Sequence, residues 1–404
     1  MFRSKHMPNS ENYDAFVKAY NNFDSQPLRG EKLKTFYIDD FTKDSVKAII
    51  TTIRITERFK KMLVIGHRGC GKSTILNKVA EELQNSYHII SFSIADVTGT
   101  MEIETVDILL ATYIQLLESV KEDKWFDSLL QPLKKLLELN PEEVNFLGFI
   151  GFKFRAEPES RDVIRKRLRD QMGKMQKNIS NTCEQIQQQN GKEVLIIIDD
   201  LDKLGTQVAE RVFFANSGLL LLPEAKIVYT FPLDTYYHSG FISIQDGYKA
   251  QFIPIVNLQT AEGRDLESSQ TALSDLILRR IDKTLVAENA IKYVIDMSGG
   301  LLRDLVKFMQ DACMQAIVNE ASVIDQNNVA EVINEPINNY YRVFDFPTYA
   351  EKVKYIAKTK KTVDNETLIY LLHYLFVLEY HHDGKFWYDV HPCLNKALAL
   401  ENKT

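Results

Sequence analysis

Gly66-His67-Arg68-Gly69-Cys70-Gly71-Lys72-Ser73-Thr74 decides how this 404-residue chain is read. Gly66, four residues, then Gly71-Lys72-Ser73 is the spacing of a phosphate-binding loop, without a mismatch. Met62–Ile65 before it is an apolar run suited to a buried strand, and Ile75–Gln84 after it has helical spacing. Strand, loop and helix in that order are the context the motif requires. Glycines let successive backbone N–H groups converge on phosphate oxygens, and the helix start adds the positive end of its dipole. Gly66 through Thr74 are therefore the candidate nucleotide-binding residues, with ATP and Mg²⁺ as the implied cofactors. Lys72 is expected to reach the β- and γ-phosphates and the Ser73 hydroxyl to ligate Mg²⁺.

A second stretch belongs with the first. Val194-Leu195-Ile196-Ile197-Ile198 is a buried parallel strand in character, and Asp199-Asp200-Leu201-Asp202 follows at its C-terminal end. Open α/β sheets place their ligands at such strand ends. Asp199 is the candidate Mg²⁺ ligand and Asp200 the candidate for polarising the attacking water, while Asp202 and Lys203 read as the opening pair of a helix. Alone the carboxylate motif is weak; with the phosphate loop upstream it gains force, because both parts serve one metal–triphosphate. Further apolar runs at Tyr87–Ile94, Ala225–Phe231 and Phe252–Val256 bring the predicted parallel sheet to five strands. Thr230 ends one of them, either sensing the γ-phosphate or water, or satisfying nearby backbone; Pro232 stops that strand.

Around this α/β core, predicted for residues 28–259, the chain carries additions. Residues 1–27 form a polar arm, and Thr35–Asp39 is an extended stretch before a helix near Lys43–Lys60. Tyr37 there either touches adenine or packs in the core with Phe36. Between about 97 and 192 a helical insertion with one hairpin is predicted, with helices near Glu102–Glu122, Trp125–Glu138 and Ser160–Gln189, and with a Pro141 break and the run Phe146–Phe152 before the last of them. Arg161, Arg165, Lys166, Arg167 and Arg169 on the last helix make either a solvated face or a surface for an acidic partner.

From residue 260 the pattern turns helical. Ala272–Lys283, Glu288–Met297, Leu301–Val318 and Asp325–Ile333 make an all-α segment over 260–335, with Ser298-Gly299-Gly300 as a helix end. Residues 336–404 read as a separate small unit: helices near Tyr349–Thr359 and Asn365–Phe376, then a hairpin turning at Asp383-Gly384. Helices followed by a β-wing suggest a winged-helix module. His373, His381, His382 and His391 lack the thiolates or paired carboxylates that would complete a metal site. Because Phe386, Trp387 and Tyr388 are consecutive, strand alternation points at least one ring away from the module's own core.

Composition sets the outer bounds. A net charge of -6 excludes coating of nucleic acid by bulk electrostatics, though not a local patch. Cys70, Cys183, Cys313 and Cys393 lie too far apart for a zinc ribbon or disulfide framework, which fits a reducing cytoplasm. No segment is apolar for long enough to span a membrane, so none is expected as a partner.

Taken in order, Gly66–Ser73, Ile196–Asp200 and Ser298-Gly299-Gly300-Leu301-Leu302-Arg303 resemble the AAA+ and STAND class of P-loop ATPases. The branch holding origin-recognition and archaeal initiator ATPases is the most similar, and the resemblance runs over roughly Leu28–Pro392. It implies a helical lid, a C-terminal winged helix, and a lid arginine, here Arg303, that reaches back to the γ-phosphate. Two departures stand out. Asp199-Asp200 replaces the usual Asp-Glu, which points to slow hydrolysis. Lys249 alone precedes the predicted fifth strand where a trans-acting arginine is usual, leaving Arg279 and Arg280 as substitutes. The resemblance implies a switch: nucleotide state sets how lid and winged helix sit, and a protein partner reads it, with a homo-oligomer possible. Relatives of that kind act in phage defence or mobile-element control. The alternative is a DNA-binding initiator or loader. Nine Lys/Arg against eight Asp/Glu after Pro336 disfavour it, because a wing that grips phosphates needs a positive excess.

Overall fold

The computed structural model describes residues 12–56, 61–99, 102–137, 158–215 and 217–401. The chain forms two compact units. One combines residues up to Asp44, Gly66–Thr74 and Ile253 onward; the other combines Ser45–Ile65 and Ile75–Phe252.

The second unit holds a five-stranded parallel sheet of β1 (Lys61–Gly66), β2 (Tyr87–Ser93), β3 (Glu193–Asp199), β4 (Lys226–Pro232) and β5 (Tyr248–Phe252). Its order is β2-β3-β4-β1-β5, so one strand separates the carboxylate-bearing β3 from the strand that leads into the phosphate loop. Burial follows that order. β1 and β4 are buried throughout, whereas the edge strands β2 and β5 are only partly covered. Runs of Ile, Val and Leu suit strands covered on both faces by helices. Two lysines open inner strands and both are buried. Lys61 Nζ donates to the carbonyls of Pro223 (2.5 Å) and Ala225 (2.8 Å), and Lys226 Nζ pairs with Glu193 (2.9 Å).

The fifth strand is a correction. The apolar run Phe252–Val256 meets the sheet only at Phe252, and the strand itself is Tyr248–Phe252, paired to β1 from Lys61↔Tyr248 to Ile65↔Phe252. Pro254 has no N–H to give a ladder, and Ile253, Ile255 and Val256 are buried in the other unit instead. Lys249 consequently lies inside β5, opposite Met62 at the N-terminal end of the sheet, rather than just ahead of the strand.

In the insertion, helices cover Thr105–Glu118, Phe126–Leu137, Pro158–Asp170 and Met172–Asn190. The single helix expected over Ser160–Gln189 is two, broken at Gln171 (φ -123°, ψ 23°). Pro141, the Phe146–Phe152 run and the expected hairpin lie outside the described residues. Of the basic run, Arg165 forks onto buried Asp107 (Nη2 to Oδ2 2.6 Å), Arg169 pairs with Glu104, and Arg167 caps the carbonyl of Leu137.

The first unit is mainly helical. Its longest helices are Leu302–Val318 and Gln326–Val343. A capping box between Asp325 and Asn328 starts the latter, which continues through Pro336 well past the expected end at Ile333. Helices Phe346–Thr359 and Asn365–His373 precede the antiparallel pair β6 (Val377–His382) and β7 (Lys385–Val390), and Pro392–Glu401 closes the described chain. Asp383 (φ 49°) and Gly384 (φ 72°) form the tight two-residue turn that Asp-Gly predicts. Phe386 is the ring that faces outward, 60% exposed, while Trp387 stacks on Tyr380 and Tyr388 is buried. No helix among the described residues is long and apolar enough to cross a membrane.

Candidate functional site

Three glycines shape the phosphate loop for different reasons. A Cβ at Gly66 would sit 2.5 Å from the carbonyl oxygen of Ile253, and Gly69 and Gly71 take φ of +91° and +100°. Lys72 opens the helix Lys72–Leu83 and is 4% exposed. Its ammonium donates to the carbonyls of Gly66 and His67, both at 2.8 Å. Cys70 is buried; Arg68, Ser73 and Thr74 are partly covered, and the Thr74 hydroxyl accepts the N–H of Leu28 at 3.2 Å. His67 is buried, and its Nε2 accepts the backbone N–H of Glu379 in β6 at 2.7 Å. Burial first, then the charges of Lys72, His381 and His391, hold its pKa down to about 3, so the imidazole is neutral and carries its proton on Nδ1.

Arg303 meets this loop through its main chain. Its N–H donates to the carbonyl of Gly69 at 3.1 Å, and a Cβ at Gly69 would lie 3.0 Å from its own. Leu302 packs over Gly71. Tyr37 is half-buried, with its hydroxyl accepting from Thr42 at 2.7 Å. Arg279 and Arg280 hold the backbone around it: Arg279 donates to the Tyr37 carbonyl (2.6 Å), and Arg280 donates to the carbonyls of Leu276 (2.8 Å) and Phe36 (3.4 Å). Arg280 is buried under the Phe36 ring, which corrects its candidacy for a neighbour's site: it cannot reach outward without leaving that cover.

At the C-terminal end of β3, carboxylate oxygens of Asp199, Asp200 and Asp202 lie within 4.8 Å of one another. Three hard oxygen donors of this kind suit Mg²⁺. Asp199 is 7% exposed and accepts the Asp200 N–H at 2.8 Å. Asp200 sits in the left-handed region (φ 68°), which turns the chain sharply out of the strand. Both its oxygens are engaged: Ser93 Oγ donates at 2.6 Å and Lys203 Nζ pairs at 2.5 Å. Ser93 was not expected here. It ends β2 in register with Asp199, and a polar residue closing an apolar run was the available signal. Lys203, expected to open a helix, lies in the short turn Leu201–Lys203 and its charge serves Asp200. Thr230 is fully buried and its hydroxyl accepts the Leu201 N–H at 3.0 Å, the backbone-satisfying alternative of its two readings.

The tail histidines make separate pairs. His381 bonds Glu379 (2.5 Å) and buried His391 bonds Asp304 (3.0 Å).

Residues 62–217 match the model of the ATPase family associated with various cellular activities (AAA). Among curated proteins none matches the chain. Solved structures with a related path include CDC6P from Pyrobaculum aerophilum (10% identity, 94% of this chain and 98% of that one, TM-score 0.43). Drosophila ORC bound to DNA is another (10% identity, 100% and 96%, TM-score 0.45). A third is the Thermotoga maritima RuvB Holliday junction branch migration motor (13% identity, 88% and 94%, TM-score 0.39). The matched stretch 62–217 takes in the phosphate loop and β3 with its carboxylates.

Proposed function

We propose that the chain is an ATP-binding switch that hydrolyses slowly and presents its C-terminal segment to a protein partner according to nucleotide state. The observation that carries this reading is the bond from the Arg303 N–H to the Gly69 carbonyl. It ties the start of a long helix in the C-terminal part of the chain to the loop that takes the phosphates. In this reading Lys72 and the loop N–H groups bind the triphosphate, Ser73 and Asp199 hold Mg²⁺, and Asp200 draws the proton from water. We connect slow turnover with the engagement of Asp200 by Ser93 and Lys203, which takes one acceptor site on each carboxylate oxygen and restricts how the group turns toward water. A protein partner is favoured over duplex DNA on two grounds. Three arginines of the basic helix are already paired within the chain, and Phe386 offers an exposed aromatic anchor.

Calorimetry with Mg-ATP tests the reading. Lys72→Ala should lose ATP affinity by at least about a hundredfold, the loss of a desolvated charge-assisted contact. Arg303→Ala keeps the main-chain bond to Gly69 and removes only the side chain proposed to reach the γ-phosphate; it should keep most of the affinity yet lose the ATP-dependent protease protection expected after Thr260. Unchanged affinity in Lys72→Ala, or protection indifferent to ATP in the wild type, would defeat it.

A further inference from the structure

His67 stands at a position the phosphate-loop pattern leaves free, yet it is 3% exposed and makes two connections at once. Through its backbone carbonyl it receives the Lys72 ammonium, which also bonds the Gly66 carbonyl. Through Nε2 it receives the main-chain N–H of Glu379. The hairpin β6–β7 is secured nearby by two more bonds, Tyr380 hydroxyl to the Gly299 carbonyl (2.9 Å) and Asn257 Nδ2 to the His381 carbonyl (2.5 Å). Its base is closely seated: a Cβ at Gly299 would lie 2.9 Å from both Leu378 and Pro392.

We propose that the C-terminal hairpin is an inhibitory latch on the phosphate loop, with His67 as its catch. While the hairpin is docked, the loop keeps the form in which Lys72 spends its donors on the loop's own carbonyls. A triphosphate competes for the three ammonium donors, two of which here serve the Gly66 and His67 carbonyls; as those bonds give way the buried carbonyls need new partners, so the His67 peptide turns. The imidazole belongs to the same residue, and its bond to Glu379 tolerates little misalignment. Loading the loop therefore loosens the hairpin, and by linkage a loosened hairpin favours loading. The catch works only with a neutral imidazole. Burial and then the Lys72 ammonium oppose protonation of His67; Glu379, whose N–H it accepts, is paired with His381, and Asp304 holds His391. This inference deepens the switch reading and rests on Gly66–Thr74 being a triphosphate site.

The test uses full-length protein and Mg-ATPγS. In the wild type, saturating ATPγS should raise hydrogen exchange at the Glu379 and Tyr380 amides at least fivefold. The double variant Asn257→Ala, Tyr380→Phe, which loosens the hairpin without touching the loop, should bind ATPγS five- to twentyfold more tightly. Bound ATPγS with unchanged hairpin exchange overturns the latch and leaves the nucleotide reading standing. So does a variant whose hairpin amides exchange faster but whose ATPγS affinity is equal or lower. Failure of both proteins to bind ATPγS sinks the nucleotide reading itself, and the latch with it.

Discussion

Thr230 offers a sharp check on how the carboxylate end of β3 is held. Its hydroxyl accepts the Leu201 N–H at 3.0 Å, and Thr230 and Leu201 are both fully buried. Thr230→Val keeps the shape of the side chain and removes the acceptor. The stranded N–H then costs about 1–3 kcal/mol, offset in part by about 0.8 kcal/mol for the methyl that replaces a hydroxyl. A net loss of about 0.2–2 kcal/mol is expected in the absence of nucleotide. In a unit of about 200 residues that lowers the melting midpoint by up to roughly 8 °C. Urea denaturation measures the loss, and amide exchange locates it: the Leu201 amide should exchange faster in Thr230→Val and stay protected in Thr230→Ser. Stability within about 0.5 kcal/mol of wild type, with Leu201 still protected in Thr230→Val, would show that the hydroxyl does not hold this turn and would return Thr230 to a role toward phosphate or water.

Ser93→Ala frees one oxygen of Asp200 and should raise ATP turnover about two- to tenfold, whereas Asp200→Asn should lower it by at least about a hundredfold; phosphate release reads both, and a fall in Ser93→Ala would show that Ser93 positions the carboxylate rather than restraining it. Gly300→Ala should cost at least about 3 kcal/mol, because a Cβ there would lie 1.9 Å from the Val256 oxygen at φ +83°. Gly263→Ala, at φ +79° with open space around it, should lose only about 1–2 kcal/mol, so equal melting losses would refute the steric account. Burial pushes Lys61 down to about 8 from 10.5, so between those pH values the unfolded chain holds a proton that the native one has released. Stability from this group therefore rises with pH across that window, by up to about 3 kcal/mol, and the wild-type advantage over Lys61→Met in urea should grow between pH 7.5 and 10.

What could be read in advance was what local chemistry dictates. The loop at Gly66–Thr74, the strand ending in Asp199 and the Asp383-Gly384 turn each rest on neighbours along the chain, and all three stand where the residues placed them. Errors came where a longer-range demand overrode the local one. Ile253–Val256 looks like a strand because it is apolar, but Pro254 breaks the ladder and the run is buried elsewhere. Gln326–Val343 looks as though it should stop near Pro336, yet a well-capped start and packing of Val329, Ile333 and Ile337 carry the helix through. Asp107, buried on an apolar helix, gave no sign that Arg165 fifty-eight positions away would neutralise it.

The same distinction separates the parts of the site. Lys72 opens the helix that follows the loop and Asp199 ends β3, so each is placed by its neighbours along the chain, which is what motif spacing records. Ser93 meets Asp200 across 107 positions and His67 meets Glu379 across 312. Neither residue belongs to any pattern, since phosphate binding asks nothing of the second residue in the loop. A histidine buried there must therefore answer to something else, and its one acceptor nitrogen is spent on the backbone of the C-terminal hairpin. A leucine could fill the space but would leave the Glu379 N–H unpaired, at about 1–3 kcal/mol. The choice of residue at 67 is thus set by the far end of the chain, and a nucleotide that shifts the loop cannot do so without disturbing that bond.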